Sequence, residues 1–296
     1  MKKFTFIVTL AQQGKRLDAV LATEFSEFSR ARWNTQIKSG KVKIANAEAK
    51  SSLVLKTNLV ISGYFPEQID TNQLVSPNEI PQILFQDSNV IVINKPAGLI
   101  VHPSGKRSQP SVAGAFARRV QDDDVLRPGI VHRLDKDTSG VMILARNQTT
   151  KEFLQAQFKA RTVKKIYLAL VSGHLKNHSA RLELPLQRSK KNPEKMIVTN
   201  LGRSAISEYL TIDKFTGFSL LKIQLFTGRT HQIRSQFAHL GHPVIGDRLY
   251  GSGSLPKGLS RQFLHANELT IDIARGQKRH FSAPLPDDLV SFLEKL

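Results

Sequence analysis

Cysteine is absent from this 296-residue chain, and acidic residues are scarce beside basic ones. Without cysteine there is no disulfide framework, no thiolate nucleophile and no cysteine-ligated zinc, which suits a cytoplasmic protein. Long apolar runs are also lacking, since none approaches the roughly 18 residues of a membrane span. The start, MKKFTFIVTLAQQG, imitates a signal peptide, but threonines interrupt its apolar run and no small-residue cleavage pattern follows. We therefore expect a strand there and a cytoplasmic location.

Positive charge is what the chain has in excess. Its 43 Lys and Arg against 24 Asp and Glu give a formal net charge of +19. In a compact particle this charge repels itself unless a polyanion shares the surface, so nucleic acid is the predicted partner. Binding to a membrane surface would need a long basic amphipathic helix with an aromatic apolar face, and the sequence has none. The 40% hydrophobic content is sufficient for real cores.

Residues 1–65 form a first predicted domain, which is small and α+β. An apolar stripe from Leu17 predicts one helix, and Ser29 is the expected N-cap of a second helix that Gly40 ends. The strand-like runs KVKIA and LVLKTNLVI follow. Residues 1–70 contain 11 Lys and Arg against 6 Asp and Glu, which either a solvated helix face or RNA binding explains. The candidates for RNA binding are Arg30, Arg32, Lys38, Lys41 and Lys43.

Residues 66–81 contain three prolines and little periodicity, so they are predicted to link the first domain to a second one at residues 82–296. In the second domain strand-like runs outnumber helical ones, and several neighbouring runs are joined without a helix. This favours an α+β fold, with a mixed, largely antiparallel sheet and flanking helices. The strand-like runs are residues 89–94, 140–146, 165–171, 205–212 and 219–226, and the helical runs are residues 149–160 and 231–240.

The segment GIVHRLDKDTSG, residues 129–140, places several charges between two apolar runs. Glycines at both ends permit sharp turns, so the segment is predicted to be a loop that presents Asp135 at its apex. The hydroxyls of Thr138 and Ser139 are expected to bond the loop backbone. The alternative is an ordinary surface loop in which Asp135 and Arg133 make a weak ion pair.

A second dense segment, TGRTHQIRSQFAHLGHP, is predicted to turn and then form a helix capped by Thr230. Arg234 follows the core residue Ile233, so its side chain should lie half covered at the flank of the helix, charged whatever its burial. The three histidines of this segment suggest zinc, but no carboxylate stands at ligand spacing and Gly241 interrupts the helix. No metal site is therefore expected.

Two further segments supply candidates. NKPAGLIVHPSGKR places Lys95 and His102 at a strand end and in the turn after it, although a lone histidine is more often structural. In KIYLALV, Tyr167 alternates with its apolar neighbours and therefore points to the opposite face of the strand. The alternative, which is commoner, is a half-buried structural tyrosine whose hydroxyl contacts solvent.

These motifs together resemble a known family. HRLDKDTSG, NKPAGLIVHP, KIYLALVSG and TGRTHQIR through GHPVIGDRLYG are similar, in order and spacing, to the RluA/RluD-type family of pseudouridine synthases, over residues 82 to about 284. Residues 14–65 resemble the small alpha-L RNA-binding domain shared by a ribosomal small-subunit protein and tyrosyl-tRNA synthetases. Where the strand turn of that domain usually carries glycine, this chain has Asn46-Ala47-Glu48.

The resemblance implies an isomerase that detaches a uracil base in RNA from its ribose and reattaches it through carbon 5, without cofactor or metal. Asp135 matches the essential aspartate of the family. A carboxylate is able to stabilise or trap the cationic sugar that glycosidic cleavage leaves. Attack on the sugar and attack on the base both remain open. Arg234 matches the arginine that pairs with this aspartate, and Arg229 is a second candidate. Tyr167 matches the tyrosine that stacks on the base, although its ordinary pKa near 10 is unfavourable for a general base.

The resemblance also implies that the target nucleotide leaves its stack, at a cost of a few kcal/mol. Arg133 matches the position from which related enzymes insert a side chain beside the flipped base. The remaining RNA-binding candidates of the second domain are Lys95, His102 and Arg229. The segment LRPGIVHRLDKDTSG is similar to the RluD branch of the family, which indicates large-subunit ribosomal RNA as the substrate.

The sequence therefore predicts an RNA pseudouridine synthase with an N-terminal RNA-binding domain. Two alternatives stay open. A non-catalytic RNA-binding or ribosome-assembly protein would keep the basic surface and would not need Asp135. A retaining glycosidase or nucleosidase would need a second carboxylate about 5 Å away, for which Asp137 and residues 122–124 are the nearby candidates.

Overall fold

The computed structural model describes residues 2–28, 30–45, 47–66, 74–103, 109–122, 124, 127–251 and 255–296. The chain divides into two compact units, one of Met1–Gln73 with Asp122–Pro128 and one of Leu74–Gln121 with Gly129–Leu296. Part of the predicted linker, residues 67–73, lies outside the described residues. The backbone carbonyl of Val75 already accepts a hydrogen bond from Ser111, so the second unit begins before the predicted boundary at residue 82. No helix in the described ranges is long and apolar enough to cross a membrane.

The first unit is a four-stranded antiparallel sheet with two helices, in the strand order β1-β4-β2-β3. The predicted strand at the start and both predicted helices are present, and Gly40 follows the second helix with a φ of 71°. The expected cap Ser29 and the turn residue Asn46 lie outside the described residues. Of LVLKTNLVI only the end is a strand. The elements are β1 (Lys3–Ile7), α1 (Leu17–Glu24), α2 (Arg30–Lys38), β2 (Val42–Ile44), β3 (Ala47–Glu48) and β4 (Val60–Tyr64).

An aromatic cluster forms the core of the first unit. Trp33 of α2 is wholly buried, and its ring contacts Phe4, Phe25, Phe28 and Phe65 at centroid separations of 5.2 to 6.1 Å. Several of these pairs are tilted or edge to face, which is the arrangement that aromatic quadrupoles favour. The α2 helix, which carries three of the predicted RNA-binding residues, is therefore anchored on a rigid base.

The second unit is built on a nine-stranded mixed sheet. Eight strands follow the order β5-β6-β7-β14-β8-β13-β12-β9, β15 pairs with β14, and β10 and β11 form a separate hairpin. Only the β7–β14 pair is parallel among the described strands, which confirms the predicted α+β fold with a mixed, largely antiparallel sheet. The elements are β5 (Gln82–Gln86), β6 (Val90–Lys95), α3 (Val112–Phe116), β7 (Ser139–Ala145), α4 (Gln148–Ala160), β8 (Lys164–Ser172), β9 (Ser179–Glu183), β10 (Leu186–Arg188), β11 (Met196–Val198), β12 (Ile206–Phe215), β13 (Phe218–Leu225), α5 (Gln232–His239), β14 (Leu264–Asp272), β15 (Lys278–Ser282) and α6 (Asp287–Leu293).

Both faces of the sheet centre are buried, because helices cover each of them. Successive side chains of a strand point to opposite faces. Along β6, Ile93 shares one core with Ile233 of α5, while Val92 shares the other core with Leu154 of α4. Every residue of β7 is buried. The start of β7, where the aspartate-bearing loop joins the sheet, is thus fixed from both sides.

The strand β14 was not predicted, although it lies in the middle of the sheet between β7 and β8. Its sequence, LHANELTID, does not alternate cleanly, and the pairing with β8 shifts register between Ala266 and Glu268. His265 is buried here because Ser139 and the carbonyl of Ala283 satisfy its ring nitrogens. The other unpredicted elements of this unit are shorter or end the chain: α3, β5, β9, β10, β11, β15 and α6.

Candidate active site

The loop that carries Asp135, residues 129–138, is called the aspartate loop. Gly129 begins the loop and Gly140 follows it, with φ values of 68° and 119°, a backbone region that favours glycine. A Cβ atom on Gly140 would lie 2.1 Å from the carbonyl oxygen of Ala266 in β14. Only glycine therefore allows the loop to enter β7 at this close approach.

Lys95 supports the aspartate loop from below the surface, which corrects its assignment as an RNA-binding residue. Its side chain is fully buried at the end of β6. Nζ donates to the carbonyl oxygens of Pro96 and Leu99, each at 2.8 Å, and of Lys136 at 2.9 Å. These acceptors match the three N–H groups of an ammonium. Desolvation lowers the pKa of Lys95 to about 7, against the opposing charge of nearby carboxylates.

Other groups complete the support of this loop. Arg261 donates to the carbonyl of Asp137 at 3.1 Å, and the backbone N–H of Thr138 donates to the carbonyl of Asp135 at 3.1 Å. In place of the expected bonds to the loop backbone, the hydroxyl of Ser139 lies 2.9 Å from Nδ1 of His265 in β14, and that of Thr138 accepts from Nε2 of Gln262 at 3.4 Å. The backbone around Asp135 is thus held mainly by buried cations.

Lys95→Met tests this support. The substitution removes three hydrogen bonds but also removes a buried charge, so we expect the free energy of unfolding to change by less than about 2 kcal/mol. Turnover should fall about 10- to 100-fold, because a misplacement of about 1 Å is costly in catalysis. Rates and chemical denaturation measured on the same preparation separate the two effects. Lys136→Met, which changes an exposed side chain of the same loop, is the control, and equal turnover in both variants would contradict the prediction.

Asp135 and Arg234 form an ion pair at the centre of the candidate site. Nη1 of Arg234 lies 3.1 Å from Oδ2 of Asp135, whose side chain is 18% exposed. Arg234 itself is 8% exposed, so it is buried rather than half covered as expected. Its Nε and Nη2 donate to the two carboxylate oxygens of Asp247 at 2.6 and 2.9 Å. Burial disfavours the charge on Arg234, but its two carboxylate partners outweigh burial and raise its pKa.

Asp247 is a site residue that the sequence analysis missed. Its side chain is wholly buried, and Oδ1 also accepts the backbone N–H groups of Leu249 and Tyr250 at 2.9 and 3.1 Å. Burial raises the pKa of Asp247, but the bonds to Arg234 outweigh burial and hold the pKa below its ordinary value. An aspartate just after Gly246 in GHPVIGDRLYG is a signal for such a side-chain turn.

The turn before α5 is held by Gln232 rather than by the predicted cap Thr230. The side-chain oxygen of Gln232 accepts from the hydroxyl of Thr227 at 2.7 Å and from the backbone N–H of Arg229 at 3.0 Å. The residue in the N-cap position is His231, in the left-handed region with a φ of 52°. This rare conformation for a residue other than glycine is often associated with a functional site.

His231 is the second residue that the sequence analysis missed as a neighbour of Asp135. Its Nε2 lies 4.0 Å from Oδ2 of Asp135, and its Nδ1 is 3.0 Å from the hydroxyl of Tyr250. Desolvation lowers the pKa of His231, with the charge of Asp135 opposing it. A neutral imidazole is therefore available beside the carboxylate at neutral pH.

Tyr167 completes the cavity that contains Asp135. Its side chain is 9% exposed on β8. Burial, and then the charge of Asp135, raise its pKa. The tyrosine is therefore neutral at ordinary pH, so even less of the phenolate that a general base requires is present than expected. The residues predicted for catalysis and base flipping line one cavity with Arg229 and His231: Arg133, Asp135, Tyr167 and Arg234.

The other predicted RNA-binding residues are distributed as follows. His102 lines an adjoining cavity that also contains Asp135. In the first unit Arg30 bonds the buried Asp18 at 3.1 Å, and Arg32 lies over the ring of Phe28 at 5.0 Å. The side chains of Lys38 and Lys43 are exposed, and Lys41 is partly exposed.

Comparisons with known proteins show which family this chain is similar to. The model of the RNA pseudouridylate synthase family matches residues 89–239. A protein of Bacillus subtilis, described as the uncharacterized RNA pseudouridine synthase YlyB, is 32% identical over 100% of this chain and 99% of its own. The ribosomal large subunit pseudouridine synthase D of Xanthomonas campestris is 37% identical over 98% of this chain and 91% of its own. The solved structure of human RNA Pseudouridylate Synthase Domain Containing 4 has a TM-score of 0.58 and 26% identity, covering 73% of this chain and 92% of that one.

The chain belongs to the RNA pseudouridine synthase family, as its motifs suggested. It is an isomerase that converts uridine in RNA to pseudouridine. A carboxylate in a partly enclosed cavity, paired with an arginine and next to an aromatic ring, suits the breaking and remaking of a glycosidic bond.

Proposed function

We propose that the protein isomerises specific uridines of large-subunit ribosomal RNA, with Asp135 as the nucleophile. The observation that carries this proposal is the 3.1 Å ion pair between Asp135 and Arg234 in the cavity beside Tyr167. Arg234 places a positive charge 3.1 Å from this carboxylate, at a site that must also accommodate the phosphates of RNA. In this reaction the bond between N1 of the base and carbon 1′ of the ribose breaks, carbon 5 bonds carbon 1′, the carbon-5 proton is released and N1 takes up a proton. The bond that Asp135 forms as nucleophile breaks again before the product leaves.

The target nucleotide enters the cavity after it leaves its base stack. A uridine within folded RNA is otherwise out of reach of a partly buried carboxylate. Arg133 supports this step, because its exposed side chain borders the cavity only two residues from Asp135. A planar guanidinium is able to stack on the neighbouring bases and to bind a phosphate. Tyr167 stacks on the base inside the cavity.

The glycosidase alternative finds less support. A retaining mechanism needs a second free carboxylate about 5 Å from the first. The carboxylate linked to Asp135 through Arg234 is Asp247, which is wholly buried and committed to four hydrogen bonds. Asp137 lines the adjoining cavity rather than the one that holds Tyr167.

Large-subunit ribosomal RNA is proposed as the substrate because of the similarity to proteins named ribosomal large subunit pseudouridine synthase D, at 37% identity in Xanthomonas campestris. The test is to map pseudouridines in ribosomal RNA from cells with and without this protein. We expect specific large-subunit sites to be lost and then restored by purified protein acting on the unmodified RNA. An unchanged map of large-subunit RNA would refute the substrate.

The first unit is proposed to bind the same RNA through its basic residues. The triple substitution of Lys38, Lys41 and Lys43 by glutamine should flatten the slope of log Kd against log salt concentration by about 2, since each phosphate contact contributes about 0.7 to 0.9. Turnover at saturating RNA should be unchanged. Lys56→Gln, an exposed residue of the same unit outside this set, is the control. An identical slope in the triple variant and the wild type would show that these lysines do not contact RNA.

A further inference from the structure

A second cavity adjoins the candidate active site and has no part in the chemistry proposed above. Its volume is about 450 Å³, which is within the range of pockets that bind small ligands. Tyr167 and Arg133 border this cavity as well as the one that holds Asp135. The ring of Tyr167 would therefore separate a group bound here from the reacting uridine.

The charge of this cavity is of one sign. Basic side chains contribute to its lining from the aspartate loop, α4, β8 and the turn before α5, and no residue among the described ones that line it is acidic. Like charges held together on one protein surface repel each other unless an anion shares the site. The basic residues are Arg133, Lys159, Arg161, Lys165 and Arg229.

Lys165 is partly buried, whereas Arg133, Lys159 and Arg161 are exposed. It precedes Tyr167 by two positions on β8, so both side chains project from the same face of the strand. Its Nζ donates to the carbonyl of Thr227 at 3.2 Å, which leaves further N–H groups for a ligand. Desolvation, and then the charge of Arg161, lower the pKa of Lys165 to about 8. An anion beside Nζ would stabilise the charged form of this lysine.

One wall of the cavity is aromatic and neutral. The rings of His132 and Phe158 stack with a centroid separation of 4.7 Å. Nε2 of His132 accepts the backbone N–H of Ile143 at 3.1 Å, and burial lowers the pKa of His132 to about 3. The wall therefore adds a flat apolar surface without adding charge. Cations beside a flat ring suit a nucleotide better than a free inorganic anion.

We propose that this cavity binds the phosphodiester of a nucleotide that flanks the target uridine, with Lys165 and Arg161 as its anion contacts and Tyr167 as the partition between the two subsites. The inference rests on the proposed function, because it assumes that the uridine lies against Asp135. According to this inference, one specific phosphate beside the reacting nucleotide positions the substrate. This contact acts in addition to the general attraction between RNA and the basic protein surface.

The test pairs a protein variant with a substrate that lacks the charge. The probe is a short single-stranded RNA with one central uridine, made with ordinary linkages or with a neutral methylphosphonate at the linkage 5′ or 3′ of that uridine. All proteins carry Asp135→Asn, so that binding is measured without turnover. Lys165→Met should weaken binding of the ordinary RNA about tenfold. In the parent protein, which keeps Lys165, one of the two neutral linkages should weaken binding about tenfold as well. With that RNA, Lys165→Met should cause no further loss of affinity.

Matched variants control for folding and for general charge. Lys164→Met removes the neighbouring lysine, whose exposed side chain points to the other face of β8, and should bind like the parent protein. Lys165→Arg keeps the charge and should retain most of the affinity. Equal weakening by Lys165→Met of the ordinary RNA and of both neutral RNAs would overturn the proposal. Because turnover is not measured, this result is independent of whether Asp135 is the nucleophile.

A second readout is pH. The lysine loses its proton above about pH 8, so affinity for the ordinary RNA should fall about tenfold from pH 7 to pH 9. The arginines that face it stay charged, and His132 and Tyr167 stay neutral across this range. Lys165→Arg should not show the decrease, and comparison with it removes titration of the RNA itself. The same decrease in Lys165→Arg would count against the assignment.

Discussion

Asp135→Asn is expected to lower the rate of tritium release from carbon 5 of uridine at least about a thousandfold, while RNA affinity stays nearly unchanged. The amide has almost the shape of the carboxylate and still accepts a hydrogen bond from Nη1 of Arg234. It lacks the negative charge and the nucleophilic oxygen. The loss should therefore be in turnover alone. The measurement combines tritium release from labelled, unmodified large-subunit ribosomal RNA with a binding titration of the same RNA.

Asp137→Asn is the matched control, because it removes an equal charge two residues further along the same loop. Its backbone carbonyl, which accepts from Arg261, is unchanged by the substitution. This control should keep most of the turnover. If Asp135→Asn turned over like Asp137→Asn, the nucleophile would have to be sought elsewhere, and the non-catalytic alternative would gain support.

Much of the fold was predictable because the relevant segments have strong local patterns. The runs that became β6, β7, β8, β12 and β13 are continuous or alternating apolar stretches, and each is a strand. The helices α4 and α5 begin within a residue of the predicted starts. The motif resemblance also selected Asp135, Tyr167 and Arg234, which the fold brings to one cavity from a loop, a strand and a helix.

The missed features depend on partners that are distant in sequence. Lys95 resembles any surface lysine in the sequence, because its acceptor, the carbonyl of Lys136, is 41 residues away. The strand β14 contains polar residues that only its neighbours satisfy. Asp247 lies 13 residues beyond Arg234, across a turn whose geometry no local pattern specifies. A buried charge is recognisable only together with the group that neutralises it.

The second large effect is expected for Asp247→Asn. Breaking a buried ion pair by changing one partner costs about 3 to 5 kcal/mol. Arg234 would keep only the partly exposed Asp135 as its counter-charge. Here the amide nitrogen would also face an N–H of Arg234 in place of an acceptor. We expect a decrease of about this size in the free energy of unfolding, measured by denaturation. Asp213→Asn, at an exposed position of β12, should have no such effect.

The stability difference should also depend on pH. The pKa of Asp247 is held below its ordinary value, so its contribution is fully present above about pH 4 and is lost as the pH falls through the lowered value in the folded state. Wild type and Asp247→Asn should therefore converge in stability in acid. A constant difference between them down to the acid limit of folding would show that the carboxylate charge is not what stabilises the fold.

Turnover provides the decisive comparison, because the side chain of Asp247 bonds Arg234, which in turn bonds Asp135. Under conditions where every variant is folded, Asp247→Asn and Arg234→Met should each lower turnover on the order of a hundredfold, since both leave the nucleophile poorly oriented. The double variant should be little worse than Arg234→Met alone, because residues that act as one unit are not additive. Losses that multiply would mean that Asp247 reaches the reaction by another route, such as its backbone contacts to Leu249 and Tyr250.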